Sequence, residues 1–139
     1  FGSQCIVVSI DYRLTENNKS NVYINCGRDS IDMSPLEWAS RVEDMGAGEI
    51  IINSIDNDGS GNGYDLENLR LISNKIKCPI IACGGAGNWE HFKEIIQDTG
   101  CDAAAAANIF HYQDQSVFLA KKYLYDNNSN VRKPDLIEI

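Results

Sequence analysis

The sequence predicts an α/β fold, half of a (β/α)8 barrel with about four βα units, and three observations carry that prediction. Four apolar runs recur, at 5–10 (CIVVSI), 49–55 (EIIINSI), 79–83 (PIIAC) and 102–107 (DAAAAA), rich in β-branched residues or alanine. They are near-continuous rather than alternating, which suits parallel strands buried on both faces. Helical patterns separate them, giving the order βαβαβαβα of a parallel α/β sheet. Length is the third observation. A complete barrel takes about 250 residues, or about 31 per βα unit, so the 139 residues hold about four units and a tail. An open doubly wound sheet shares the local pattern, and only this arithmetic favours the barrel half.

The elements follow in order. After the first strand, 13–32 is a long polar stretch containing Asn17-Asn18 and the strand-like NVYIN at 21–25, which reads as a flap or small hairpin over the end of that strand. Ser34, Pro35 and Glu37 supply an N-cap, a proline at the first helical position and a capping-box acid. Trp38, Val42 and Met45 then recur at helical spacing, and Gly46 and Gly48 end the helix. Asp65 caps a second helix with Leu66, Leu69, Ile72 and Ile76 inward, stopped at Cys78-Pro79. Asn88 caps a third with Trp89, Phe92, Ile95 and Ile96 inward, ending near Gly100. A last helix turns Val117, Ala120 and Leu124 inward. The half-barrel spans 1–132 and the tail 133–139. Phe1 at the start, with an apolar run almost at once, reads as a segment cut from a longer chain.

A net charge of −8 and a pI near 4.6 repel phosphate backbones and anionic headgroups, so nucleic acid and membrane surfaces are poor partners. No apolar run approaches the roughly 20 residues that span a bilayer, and no signal-peptide pattern opens the chain; a soluble, cytoplasmic protein is expected. Cys5, Cys26, Cys78, Cys83 and Cys101 are odd in number and lack CxxC or metal-type spacing. They read as reduced, buried thiols. No cofactor and no metal are expected.

In both architectures ligands bind beyond the carboxyl ends of the strands. Asp11 follows Ile10 directly, a carboxylate at the rim of an apolar strand that could be tuned for proton transfer or could brace a loop. CGGAGN at 83–88 is a glycine-rich strand-to-helix turn, either a cradle of backbone N–H groups for an anion or simply a tight βα turn. AAANIF at 105–110 adds small residues running into a short helix, as in the phosphate sites of barrels. With so acidic a chain, backbone donors would hold the anion. The loop DNDGSGNGYDLE at 56–67 spaces its acids almost as an EF-hand does, yet a strand rather than a helix leads into it; Asp58 and Gly59 facing a ligand and Asp65 capping a helix is the better reading. His91 and His111 read as surface or supporting residues, and no Ser/His/Asp or Cys/His arrangement is recognisable.

At FGSQCIVVSID, GAGEIIINSIDNDGSGNGYDL, PIIACGGAGNWEHF and DAAAAANIFH the sequence resembles the cyclase subunits of imidazole glycerol phosphate synthase, in their C-terminal half, from residue 1 to about 132. The resemblance implies a (β/α)8 barrel of two similar halves, of which this chain holds strands five to eight. It implies a reaction in which ammonia from a glutaminase partner attacks a ribulosyl aminoimidazole carboxamide nucleotide, giving imidazole glycerol phosphate and aminoimidazole carboxamide ribotide. Asp11 maps on one of two catalytic aspartates. Asp58-Gly59, Gly84-Gly85 and Ala107-Asn108 map on one of two phosphate sites, Asn53 on a substrate-contacting residue, and Glu49 on an acidic residue at the ammonia entrance. The other aspartate and phosphate site belong to a half that only another segment or a second copy could supply. Asn53 and Asn108 replace usual hydroxyl residues, Asn57 a usual basic one and Cys26 a usual serine. Such departures, with VYINCGRDSIDMSPLEWA, also resemble cyclase-like proteins that act in surface-polysaccharide sugar amidation. A non-catalytic phosphate-binding half-barrel is the alternative outside enzymes.

Overall fold

The computed structural model describes residues 2–15, 17, 19–112 and 116–135, of Ser116 the backbone only. Phe1, Glu16, Asn18 and the tail beyond residue 135 lie outside them, so the cut-segment reading at Phe1, part of the 13–32 hairpin and most of the 133–139 tail do too. A single 3-10 turn, Ser3–Cys5, leads into strand β1 (Val7–Leu14), followed by β2 (Ser20–Ile24), β3 (Asp29–Ser30), helix α1 (Pro35–Asp44) and β4 (Glu49–Ser54). Then come α2 (Leu66–Ser73), β5 (Ile80–Cys83), α3 (Trp89–Asp98), β6 (Ala103–Ala105), α4 (Asn108–His111) and α5 (Ser116–Asp126).

One six-stranded sheet runs β3-β2-β1-β4-β5-β6. Its four parallel strands lie side by side in chain order. A doubly wound sheet reverses its order at a switch point, and no reversal occurs here, so the barrel arc is the architecture. The 13–32 stretch departs from the sequence reading. It does not fold over the end of β1 but extends the sheet in plane, because β1 continues past Ile10 and pairs antiparallel with β2 over residues 11–14. Asp11 therefore sits inside a strand rather than just beyond its end. Asn25, Cys26 and Gly27 turn the hairpin, all at positive φ.

The capping residues read from the sequence are in place. The Ser34 hydroxyl accepts from Glu37 N while a Glu37 carboxylate oxygen accepts from Ser34 N, and Asp65 and Asn88 accept from Asn68 N and His91 N. These side chains satisfy amides that the first helical turn leaves orphaned. Helix-facing residues Ile10, Tyr12, Ile50, Ile52, Ile80 and Ala82 of the strands pack against Ala39, Val42, Leu69, Ile72 and Ile95 in one core. Phe92, Ile109 and Leu124 form a second.

The expected burial of both sheet faces is not what the structure shows. In β1, β4 and β5 burial alternates from residue to residue, and Ser9, Asp11, Ile51, Asn53, Ile81 and Cys83 stay at least partly open. Helices cover one face, and nothing among the described residues covers the other as fully. Three smaller corrections have local causes. Met45 caps α1 at its C-terminus and is exposed rather than inward; Val117 is exposed in the first turn of α5; Cys5 and Cys26 are exposed, in the lead-in turn and the hairpin tip.

The amino ends of the strands are braced by carboxylates. A Glu43 oxygen on α1 accepts from both Lys77 N (2.6 Å) and Cys78 N (2.7 Å), ahead of β5, and Asp102 accepts from Ile80 N at 2.9 Å. Glu43→Ala should cost about 2 kcal/mol, since two backbone donors lose a charged acceptor, whereas Asp44→Ala on the exposed side should change stability by less than about 0.5 kcal/mol. Urea unfolding followed by circular dichroism measures both.

Candidate functional site

Residues registered across parallel strands point to the same face of a sheet. Asp11 is paired with Asn53, Asn53 with Cys83, and Cys83 with Ala105. These four side chains form a row across the open face at the carboxyl ends of the strands. Asn53 Nδ2 donates to Asp11 Oδ1 at 3.0 Å, which orients the carboxylate. The remaining amide oxygen of Asn53 is shut off from solvent with no hydrogen-bond partner among the described residues, under Gly84, where a Cβ would stand 3.0 Å from it.

Next to the row lies a cleft of about 550 Å³, and Asn53, Asp58, Gly59, Gly84, Gly85, Ala107 and Asn108 all line it. Every residue that the sequence reading gave to substrate or phosphate thus borders one space. Asp11 touches that space through Asn53 rather than lining it. Glu49 does not join them: it pairs with Val7 at the opposite end of β4, four residues or about 13 Å from Asn53.

Glycine serves loop packing here as well as access. The loop after β4 and the turn after β5 cross backbone to backbone, with Gly63 N donating to Gly85 O at 2.8 Å. A Cβ on Gly85 would lie 2.0 Å from Gly63 O, and one on Gly87 2.1 Å from Gly61 O. The tight-turn reading of CGGAGN therefore holds: the glycines let the two loops cross, and the turn walls the cleft. His91 braces it, its Nδ1 accepting from Gly87 N at 3.1 Å.

The acids of the 56–67 loop go separate ways. Asp56 pairs with Arg13 Nε at 3.0 Å and accepts from Leu14 N, while Asp65 caps α2 and accepts from the Tyr12 hydroxyl at 2.8 Å. They tie the hairpin strand and α2 to the loop instead of converging on a cation. Burial, reinforced by the Asp65 charge, pushes the Tyr12 phenol well above its usual range. Burial likewise raises the Cys83 thiol, with the charges of Asp58 and Asp11 adding to it.

The site was not fully legible in the sequence. Cys83 and Ala105 enter it through strand register, which the near-continuous apolar runs do not reveal. Gly61 and Gly87 line it from the glycine-rich motifs at 56–67 and 83–88, but their approach to one another is a loop crossing that neither motif announces.

The family described as "Histidine biosynthesis protein" matches residues 1–116. The chain belongs to this family. Among curated histidine-biosynthesis relatives, the imidazole glycerol phosphate synthase subunit HisF of Bacillus cereus (strain G9842) is 49% identical over 132 residues, which cover 95% of this chain and 52% of that protein. The subunit of the same name from Hydrogenobaculum sp. (strain Y04AAS1) is 48% identical over the same coverage. The chain spans about half the length of the curated relatives it matches. As a member of the histidine-biosynthesis family it is a partial (β/α)8 barrel, in agreement with the sequential order of its parallel strands. No helix among the described residues is long and apolar enough to cross a membrane.

Gly85→Ala, at φ +115° with a backbone oxygen in the way, should cost at least about 2 kcal/mol in urea unfolding. With a thiol reagent at about pH 8, where the thiolate is the reactive form, exposed Cys5 and Cys26 should react first. Cys78, Cys83 and Cys101, whose thiols burial pushes up, should lag behind. Cys5→Ser and Cys26→Ser variants identify the fast phase in a stopped-flow trace.

Proposed function

We propose that this chain is the C-terminal half-barrel of the cyclase subunit of an imidazole glycerol phosphate synthase, with residues 1–132 as the half-barrel, the hairpin 13–32 within it and 133–139 as a tail. The observation that carries the reading is the junction of a carboxylate near the carboxyl end of the parallel β1–β4 ladder, Asp11, held by Asn53, with a glycine-walled cleft. Ammonia from a glutaminase subunit reaches the site past Glu49, and attacks the ribulosyl aminoimidazole carboxamide nucleotide. Carbon–nitrogen cleavage and ring closure give imidazole glycerol phosphate and aminoimidazole carboxamide ribotide.

In this reaction Asp11 serves as one general acid/base. A carboxylate fixed by a neighbouring amide donor on the open face of a sheet suits proton transfer. Asp58, Gly59, Gly84, Gly85, Ala107 and Asn108 hold one phosphate of the substrate, and Asn53 contacts it while fixing Asp11. In a chain of net charge −8, phosphate binding by backbone donors avoids the need for clustered cations. The names borne by the relatives support this reading over sugar amidation. A second half-barrel, from the rest of the protein or from another copy, completes the site by covering the open face.

The test is an assay of the full-length protein that carries this segment, with the ribulosyl aminoimidazole carboxamide nucleotide and an ammonium salt, both products being followed by chromatography. Asp11→Asn should lower turnover by at least about 100-fold, the range expected for loss of a general acid/base, with binding of the nucleotide retained. Turnover near that of the unaltered protein would overturn the role of Asp11. The 139-residue chain by itself should form no imidazole glycerol phosphate.

A further inference from the structure

We propose that Tyr64 is the positioning residue of the anion cleft, its hydroxyl fixing the end of β6 in the geometry that accepts a phosphate group. The inference rests on the reading of that cleft as phosphate-binding.

Strand β6 is three alanines long, and none of them is fully buried. Side chains this small bury little surface, so the peptides that follow depend on hydrogen bonds for their orientation. Those peptides belong to Ala106, Ala107 and Asn108, which line the cleft. The Tyr64 hydroxyl donates to Ala105 O at 2.9 Å and so fixes the plane of the peptide that enters this segment. The ring that carries the hydroxyl is itself held, 6% exposed and edge-on to Phe92 of α3 with centroids 6.2 Å apart.

The preceding residue makes a matching stitch. Gly63 N donates to Gly85 O at 2.8 Å, and Gly63 O accepts from Asn57 Nδ2 at 3.1 Å. Two consecutive residues of the loop after β4 therefore reach the turn after β5 and the end of β6, the other two walls of the cleft. Burial raises the Tyr64 phenol far above its ordinary range, so it remains a donor throughout the working pH range. Backbone donors reward such fixing, because a hydrogen bond weakens steeply once its angle closes.

The experiment is titration of the 139-residue chain with inorganic phosphate, followed by isothermal titration calorimetry and 31P NMR, for the unaltered chain, Tyr64→Phe and Ile95→Val. Tyr64→Phe keeps the ring and removes only the hydroxyl; it should weaken phosphate binding about fivefold, the worth of one net hydrogen bond, while near-ultraviolet circular dichroism is kept. Ile95→Val trims a buried core residue of α3 and should lower the melting temperature without changing the phosphate affinity. Equal affinities for the unaltered chain and Tyr64→Phe would overturn the inference while leaving the cleft as a phosphate site. Equal weakening by Ile95→Val would reduce the effect to general stability and overturn it too, as would a Tyr64→Phe chain that does not fold. Absence of phosphate binding by the unaltered chain would overturn both the cleft reading and the inference.

Discussion

The parallel ladder of β1, β4, β5 and β6 is the constraint on which the candidate site depends. Its register places Asp11, Asn53, Cys83 and Ala105 side by side, and because side chains alternate with a period of two, a slip of one residue would send that row into the helical core. Ile10, Ile52 and Ala82 would then turn to the open face. The apolar cost of that exchange holds the register, so the core formed with α1, α2 and α3 is also what aims the functional row. Packing and chemistry share one set of strands and differ only in the parity of the residue number.

Above the strands the same economy appears in the loops. Loops that wall a cleft lack a core of their own, and here they are held by crossing one another. Gly63 against Gly85 and Gly61 against Gly87 bring backbones so close that no side chain fits between them. Asp56 ties the first loop to the hairpin strand through Arg13, and His91 supports the second from within α3. The cleft walls are thus held by contacts within the chain, independent of any ligand. The open sheet face is the counterpart. Ser9, Ile51 and Ile81 lie below the functional row and remain partly uncovered, as expected of an arc of a barrel whose interior needs side chains from both halves to fill.

Much of this was readable from the chain alone. Helix starts were, because a capping side chain acts within three residues of the amide it satisfies, as Ser34, Asp65 and Asn88 do. The residues around the cleft were readable as well, since they follow apolar runs and ligands bind at strand ends in either candidate architecture. Less legible was the extent of β1. Its continuation through Leu14 depends on partners at 20–23, and nothing within 11–14 announces them. Exposure at Met45 and Val117 was misread for a related reason, since periodicity gives the face of a helix but not whether another element covers it, whereas Cys5 and Cys26 are exposed because they fall in turns.

The sequence by itself determined the α/β class, the helix caps, the family resemblance and the residues around the cleft, because these rest on short-range patterns and on motifs that stand unbroken in the chain. Only the tertiary structure decided between a barrel arc and a doubly wound sheet, since strand order is a relation among segments tens of residues apart. It alone brought Asn53 to Asp11 across 42 positions and Tyr64 to Ala105 across 41. Those bonds exist through sheet register and loop crossing, and neither is encoded in any one stretch of the chain.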